Sequence, residues 1–235
     1  MTQLPRSGAT VAVMAKAPTA GAVKTRLVPA LAAAEAAELS RCMLLDTLDL
    51  VRGVAATRVV AYAPAEARAW FAESAPDFSL MPQTGLDLGE RMAAVFSTLF
   101  AAGAGPVVLL GADAPALPAD FVTRALTRLQ AGDADVVLVP VEDGGYCLVG
   151  LAAPQPALFA GMPWSTPEVL TRTLDRAVAL RLRAVTLPSW WDVDTPEDVR
   201  RLAFPAVEAD GPARRSRRYV ATLVHAGHAS SAPSA

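Results

Sequence analysis

Val107-Val108-Leu109-Leu110-Gly111-Ala112-Asp113-Ala114-Pro115 is the stretch that decides the fold class. Four consecutive apolar residues suit a strand covered on both faces, and a carboxylate directly after them suits the ligand-binding edge of an open α/β sheet. Val136-Val137-Leu138-Val139 is apolar at every position too, so both runs are expected as central strands. Working outward, short apolar runs predict strands over 10–15, 57–63, 78–81, 106–111, 134–141, 146–151 and 183–188. Segments of helical period fall between them, at 34–51, 65–71, 88–102, 118–129, 167–180 and 196–203. Such alternation predicts α/β architecture, a Rossmann-type domain with a mostly parallel central sheet and helices on both faces. Two helix starts are explicit: Thr166 before Pro167, and Thr195 before Pro196 with Asp198 three positions on. Each offers a capping oxygen followed by a proline whose missing N–H costs nothing there.

The 235 residues are 53% hydrophobic and 19% charged, enough for one large core, which excludes a disordered chain, a fibre or a small stapled scaffold. Twenty-one Lys plus Arg against 23 Asp plus Glu leave a net charge of -2. No general basic field exists to attract nucleic acid, which is not an expected partner. No apolar run approaches the roughly 20 residues of a membrane span, and the first run is too short for a signal-peptide core, so no membrane partner is expected either. Cys42 and Cys147 form neither a disulfide framework nor a zinc-ligand spacing, so the expected location is the reducing cytoplasm. The domain is expected over 8–204. Residues 205–235 read as a partly disordered extension in which Arg214, Arg215, Arg217 and Arg218 form a solvated tail. Nothing in the pattern specifies an oligomeric state.

Only two of the basic residues are lysine, Lys16 and Lys24, and both lie in the loop after the first strand, with Gly21 between them and Arg26 just beyond. This loop suits a polyphosphate. Backbone N–H groups near Gly21 can approach phosphate oxygens, the lysines supply point charges, and Arg26 can engage two oxygens at once. It is not the ATPase phosphate loop, because Val23 stands where glycine must precede Lys-Thr, and Gly-x-Gly-x-x-Gly is absent.

Asp113 reads either as a turn-forming residue before Pro115 or as a ligand for a hard cation, Mg2+ or Mn2+, completed by phosphate oxygens and water. Asp192 and Asp194 are two apart, and on an extended chain both project to one side where they could share a cation. Asp143-Gly144-Gly145, lying between two apolar runs, reads as a tight turn. Trp164 reads as a stacking surface for substrate or as ordinary packing.

The order Lys16-Ala17-Pro18, Gly21, Lys24-Thr25-Arg26-Leu27, then Gln83-x-Gly85-x-Asp87-Leu88-Gly89-Glu90-Arg91-Met92, Gly111-x-Asp113-x-Pro115, Asp143-Gly144-Gly145-Tyr146, Trp164-Ser165-Thr166 and Asp192-Val193-Asp194-Thr195-Pro196-Glu197-Asp198 resembles the GT-A-fold transferases of arsenosugar biosynthesis, also described as radical-SAM and selenium-domain-associated glycosyltransferases. More distantly it is similar to phospholactate guanylyltransferase. The resemblance covers roughly residues 8 to 204. It implies a single GT-A fold, with Asp113 and Asp194 as metal ligands and Asp192 behind them. It implies that Lys16, Gly21, Lys24, Arg26, Gln83 and Gly85 bind the nucleotide and its phosphates, Lys24 and Arg26 also serving catalysis. Asp143 becomes the candidate general base, and Gly144, Gly145, Tyr146 and Trp164 face the acceptor or sugar. The implied activity is glycosyl transfer from a nucleotide sugar to a small acceptor. The alternatives are nucleotidyl transfer from a nucleoside triphosphate to a phosphorylated small molecule, and a nucleotide-binding regulator without catalysis, against which the two candidate metal ligands speak.

Overall fold

A computed structural model describes residues 8–28, 30–203 and 211–230, with side chains as far as 224. In chain order the strands are β1 (Thr10–Lys16), β2 (Thr57–Ala63), β3 (Ser79–Pro82), β4 (Val107–Gly111), β5 (Val136–Pro140), β6 (Tyr146–Leu151) and β7 (Ala184–Thr186). The helices are α1 (Ala33–Arg52), α2 (Arg68–Ser74), α3 (Leu88–Ala101), α4 (Ala119–Gln130), α5 (Val169–Ala179), α6 (Pro196–Leu202) and α7 (Arg214–Ser230). The seven strands form one sheet in the order β3-β2-β1-β4-β6-β5-β7, and only β6 runs antiparallel to its neighbours. The mostly parallel α/β sheet expected from the sequence is the one observed.

The two all-apolar runs are internal, as their composition requires. Val107 to Leu110 and Val136 to Val139 are buried throughout, because helices cover both faces. One face carries Val11, Val13, Val108, Leu110, Val137 and Val139 under α1, α2 and α4. The other carries Ala12, Val59, Leu109, Val136 and Leu138 under α3 and α5. Successive strand residues alternate between these two clusters, as the period of two demands.

Thr195 caps α6 in a reciprocal box with Asp198. Thr166 does not cap α5, which begins two residues after the expected start at Val169. Its hydroxyl instead donates to the carbonyl of Pro163 at 2.8 Å, because the segment 163–166 is folded back on itself.

A second difference lies at the C-terminus. The expected solvated arginine tail is, over 214–224, part of a helix packed on α1 and α6, with Ala213, Ser216 and Val220 buried at helical spacing. Asp46, buried in α1, accepts from the Arg215 and Ser216 N–H groups at 3.0 and 2.8 Å and from the Ser216 hydroxyl at 2.7 Å, and so caps α7 from outside the helix. Arginine density hid a narrow apolar stripe, and the cap comes from a residue 169 positions away. Residues 205–210 and 231–235 of the expected disordered extension lie outside the described residues.

Candidate active site

The carboxyl ends of β1 and β4, the segments that follow β3, β5 and β7, and the start of β6 open into one cavity of about 880 Å³. At its centre is Lys24. The residue is held in a left-handed backbone conformation (φ 48°), which costs a non-glycine residue on the order of 1 kcal/mol or more. Its side chain is only 8% exposed, and its ammonium contacts Asp113 Oδ1 at 2.5 Å, Asp194 Oδ1 at 2.7 Å and the Val193 carbonyl at 2.7 Å. Burial, the largest single influence, pulls the ammonium pKa down. The charges and hydrogen bonds of Asp113 and Asp194 together outweigh it, so the net displacement is upward.

Packing explains how residues so far apart in the chain meet. Leu27 and Val193 are both 0% exposed in a third apolar cluster with α1, α6 and α7, which fixes the loop after β1 against the segment after β7. The Val193 N–H donates to the Asp113 carbonyl at 2.8 Å, and the Asp194 N–H donates to Asp198 Oδ2 at 3.1 Å. Val193 was missed in the sequence because its contribution is two backbone groups, which an apolar side chain between two aspartates does not advertise.

Asp113 and Asp194 therefore share one ammonium, and Asp192 is not among its partners. Asp192 sits half-buried beside them, its carboxyl pushed up to about 6 by burial first, then by the charges of Asp194, Asp143 and Asp113. The pair fits a hard cation: two carboxylates converge on one point, beside the Lys24 ammonium, with the second oxygen of Asp194 turned toward Arg26 at 3.6 Å. Among the described residues no group of three or more His, Cys, Asp or Glu is arranged as a metal site, so such an ion would draw its remaining ligands from substrate oxygens and water.

Lys16 at the end of β1 and Arg26 are exposed at the cavity, Arg26 within 3.6 Å of Asp194 Oδ2, and Gly21 lies at the exposed turn of the loop. Gln83 follows β3. Its amide N–H groups donate to the carbonyls of Ala61 at 2.7 Å and Ala15 at 3.2 Å, tying β2 to β1, so only its amide oxygen is left for a ligand. Gly85 lies just outside the α3 cap, and its carbonyl accepts from Arg91 Nε at 3.1 Å. That contact brings Arg91 to the cavity wall.

On the other side, Asp143 tips the β5–β6 hairpin. Its Oδ1 accepts from the Gly145 N–H at 2.9 Å, so the expected tight turn is present while the second oxygen stays available. Gly144 does not present its backbone to the cavity. It has φ 89°, a side chain there would collide with the Pro167 backbone, and its carbonyl accepts from the Leu170 N–H at 2.9 Å. It joins the hairpin to α5, while Gly145 lines the cavity. The Tyr146 ring also lines it, but its hydroxyl is buried toward Thr173 and its pKa is displaced upward, chiefly by burial. The indole of Trp164 closes the wall with its N–H edge against Gly89 of α3, and Ser165 beside it is a second non-glycine residue with positive φ (64°). The Cys147 thiol is pushed up to about 12, by burial and then by Asp192, which leaves it neutral and inert as a nucleophile.

Residues 47–166 match the family model described as "Uncharacterized protein conserved in bacteria (DUF2064)". A crystal structure from Desulfovibrio desulfuricans G20, assigned to the nucleotide-diphospho-sugar transferases, is 30% identical, with 93% of this chain and 97% of that chain covered at a TM-score of 0.83. The chain belongs to the DUF2064 family. The chain shares the nucleotide-diphospho-sugar transferase fold with more remote structures. One is CMP:2-keto-3-deoxy-manno-octonic acid synthetase complexed with CTP (12% identity, 83% of this chain and 96% of that chain, TM-score 0.52). Another is Rv0371c of Mycobacterium tuberculosis H37Rv in complex with manganese (16% identity, 84% and 98% covered, TM-score 0.52). No curated protein matches the chain by sequence. Among the described residues no helix is long and apolar enough to cross a membrane.

Proposed function

We propose that this DUF2064 member is a cytoplasmic transferase that uses a divalent cation and a nucleotide-activated donor, and that its reaction is glycosyl transfer from a nucleotide sugar to a small-molecule acceptor. The observation that carries the reading is the meeting of Lys24 with Asp113 and Asp194 at the head of a cavity whose adjoining loop supplies Lys16 and Arg26. The assignment of the Desulfovibrio relative supports the donor class, and the two free cysteines fit a reducing compartment.

A magnesium or manganese ion held by Asp113 and Asp194 would neutralise the diphosphate as it leaves. Arg26 and Lys16 bind the phosphate oxygens, with Gly21 allowing their close approach, whereas Lys24, expected among the phosphate ligands, spends its three N–H groups on Asp113, Asp194 and Val193 and positions the two carboxylates. Gln83, Gly85 and Arg91 border the nucleoside. An acceptor hydroxyl oxygen attacks the sugar carbon. The new C–O bond forms as the bond to the diphosphate breaks, the electron pair leaves with the diphosphate, and the hydroxyl proton passes to the free oxygen of Asp143. Trp164, Tyr146 and Gly145 exclude water on the acceptor side.

Nucleotidyl transfer is the second reading, favoured by the exposed cations of the donor loop, Lys16 and Arg26, with the Lys24 ammonium behind them. Calorimetric titration with nucleoside triphosphates and nucleotide sugars, with and without Mg2+ or Mn2+, separates them. Cation-dependent binding of a nucleotide sugar with slow release of its nucleoside diphosphate is expected. Preference for one triphosphate, with pyrophosphate appearing only when a phosphorylated acceptor is added, would replace glycosyl by nucleotidyl transfer, and absence of any nucleotide binding would end both.

A further inference from the structure

The cavity wall is divided by charge. Its four cations among the described residues, Lys16, Lys24, Arg26 and Arg91, all come from the first 91 positions, on the side of β1, β2 and β3, where the lining carboxylate Asp87 accepts from the Glu90 N–H as the α3 cap. From residue 111 onward the wall holds Asp113, Asp143, Asp192 and Asp194 and no lysine, arginine or histidine. Asp113 and Asp194 share Lys24, and Arg26 lies 3.6 Å from Asp194, whereas Asp192 and Asp143 line the far side with no ion pair among the described residues.

Anions can also be held without cations, by backbone N–H groups at helix N-termini. Here several of those groups are committed. At the start of α5 the Leu170 N–H donates to Gly144 O and the Val169 N–H to Thr166 O, and Pro167 has none. At α6 the N–H groups of Asp194 and Thr195 go to Asp198 Oδ2, and that of Asp198 goes to Thr195 Oγ1. In the hairpin the Gly145 N–H is taken by Asp143. The arginines behind the wall are engaged as well, Arg172 with Glu168 and Arg201 with both oxygens of Glu142.

A phosphate or carboxylate on this side would therefore meet two carboxylates and no cation, the Ser165 hydroxyl on the wall being a neutral donor only. A hydroxyl or ammonium group would find free acceptor oxygens beside the Trp164 and Tyr146 rings. We infer that the acceptor side of the cavity takes a hydroxyl compound without negative charge, and that an amine-bearing one binds best. This rests on the transferase reading for the word acceptor, and it adds the substrate class: phosphate monoesters and sugar acids are excluded.

The test reads charge preference at the two ends of the cavity in the full-length protein, independently of any nucleotide. Amino-, hydroxy- and carboxy-substituted nitroxide probes of equal size are added in turn, and paramagnetic relaxation is measured at the Gly145 and Ser165 amides and at the Gly21 and Thr25 amides. The expected order at Gly145 and Ser165 is amino above hydroxy above carboxy, with about a threefold or larger span at low salt, and the reverse order at Gly21 and Thr25. In Asp143→Asn combined with Asp192→Asn, the span at Gly145 and Ser165 collapses while that at Gly21 and Thr25 stays. A carboxy probe that relaxes Gly145 and Ser165 as strongly as the amino probe overturns the inference, as does glucose 6-phosphate shifting those amides where glucose does not. Failure of the transferase reading would appear elsewhere, as silence in the nucleotide calorimetry, and would leave these amide measurements unaffected.

Discussion

The two sides of the cavity solve the same problem, holding charge at the edge of a sheet, in opposite ways. On the β1–β3 side the central charged group, Lys24, sits on a loop and is fixed by partners remote in sequence, Asp113, Asp194 and Val193. On the β5–β7 side the carboxylates are placed by their own local chain, Asp143 by a turn to Gly145 and the Asp192–Asp194 segment by the α6 capping box that follows it. Remote ties make the first side sensitive to single substitutions that open the fold locally. Local turns make the second side robust and leave the Asp143 and Asp192 carboxylates to act on a ligand, while Asp194 is shared with Lys24.

Asp113→Asn strikes the junction of the two sides and carries the largest expected effect. Turnover should fall by at least about a hundredfold, because a bound cation loses a ligand rather than an outer partner. Circular dichroism should be unchanged, and a steady-state assay showing activity intact would remove Asp113 from any catalytic role.

Lys24→Met takes away the shared ammonium and leaves two facing carboxylates. A loss of about 1–3 kcal/mol at pH 7–8 is expected, less than for a fully buried pair because Asp113 is half exposed. Mn2+ should raise the melting temperature of the variant more than that of the wild type. Equal melting curves for the two proteins, indifferent to Mn2+, would show that the first side is not held by this contact.

Asp46→Ala uncaps α7 and is expected to cost about 1–2 kcal/mol. Since α7 backs the cluster containing both Leu27 and Val193, the damage should reach both sides equally. Hydrogen exchange that rises around Leu27 but not around Val193 would contradict that symmetry.

Asp192→Asn is the mildest. A folded-state carboxyl raised to about 6 from 3.8 disfavours the charged form, so wild-type stability is spared below about pH 4 and declines as pH rises toward 6. The variant should gain about 1 kcal/mol at pH 7.5 in metal-free buffer, after allowance for solvent exposure, and nothing at pH 4. A gain independent of pH would mean that the far side carries no uncompensated charge.

Sequence alone carried most of the local architecture. Residues 107–110 and 136–139 could only be covered strands because they offer no polar face. Thr195-Pro196 with Asp198 could be read as a helix start because capping is settled within four residues. By the same logic Asp113, Asp143 and Asp192–Asp194 could be placed at strand ends, where open α/β sheets present their ligand-binding groups. Three things waited for the tertiary structure. The insertion of β6 between β4 and β5 depends on which strands pair, and periodicity is silent on that. The docking of α7 depends on Asp46, whose role no local pattern in α1 reveals. Lys24 reaches Asp194 across 170 positions because Leu27 and Val193 are buried in one cluster. Local chemistry is written in neighbouring residues, whereas charge pairing across a cavity is decided by how distant apolar surfaces pack.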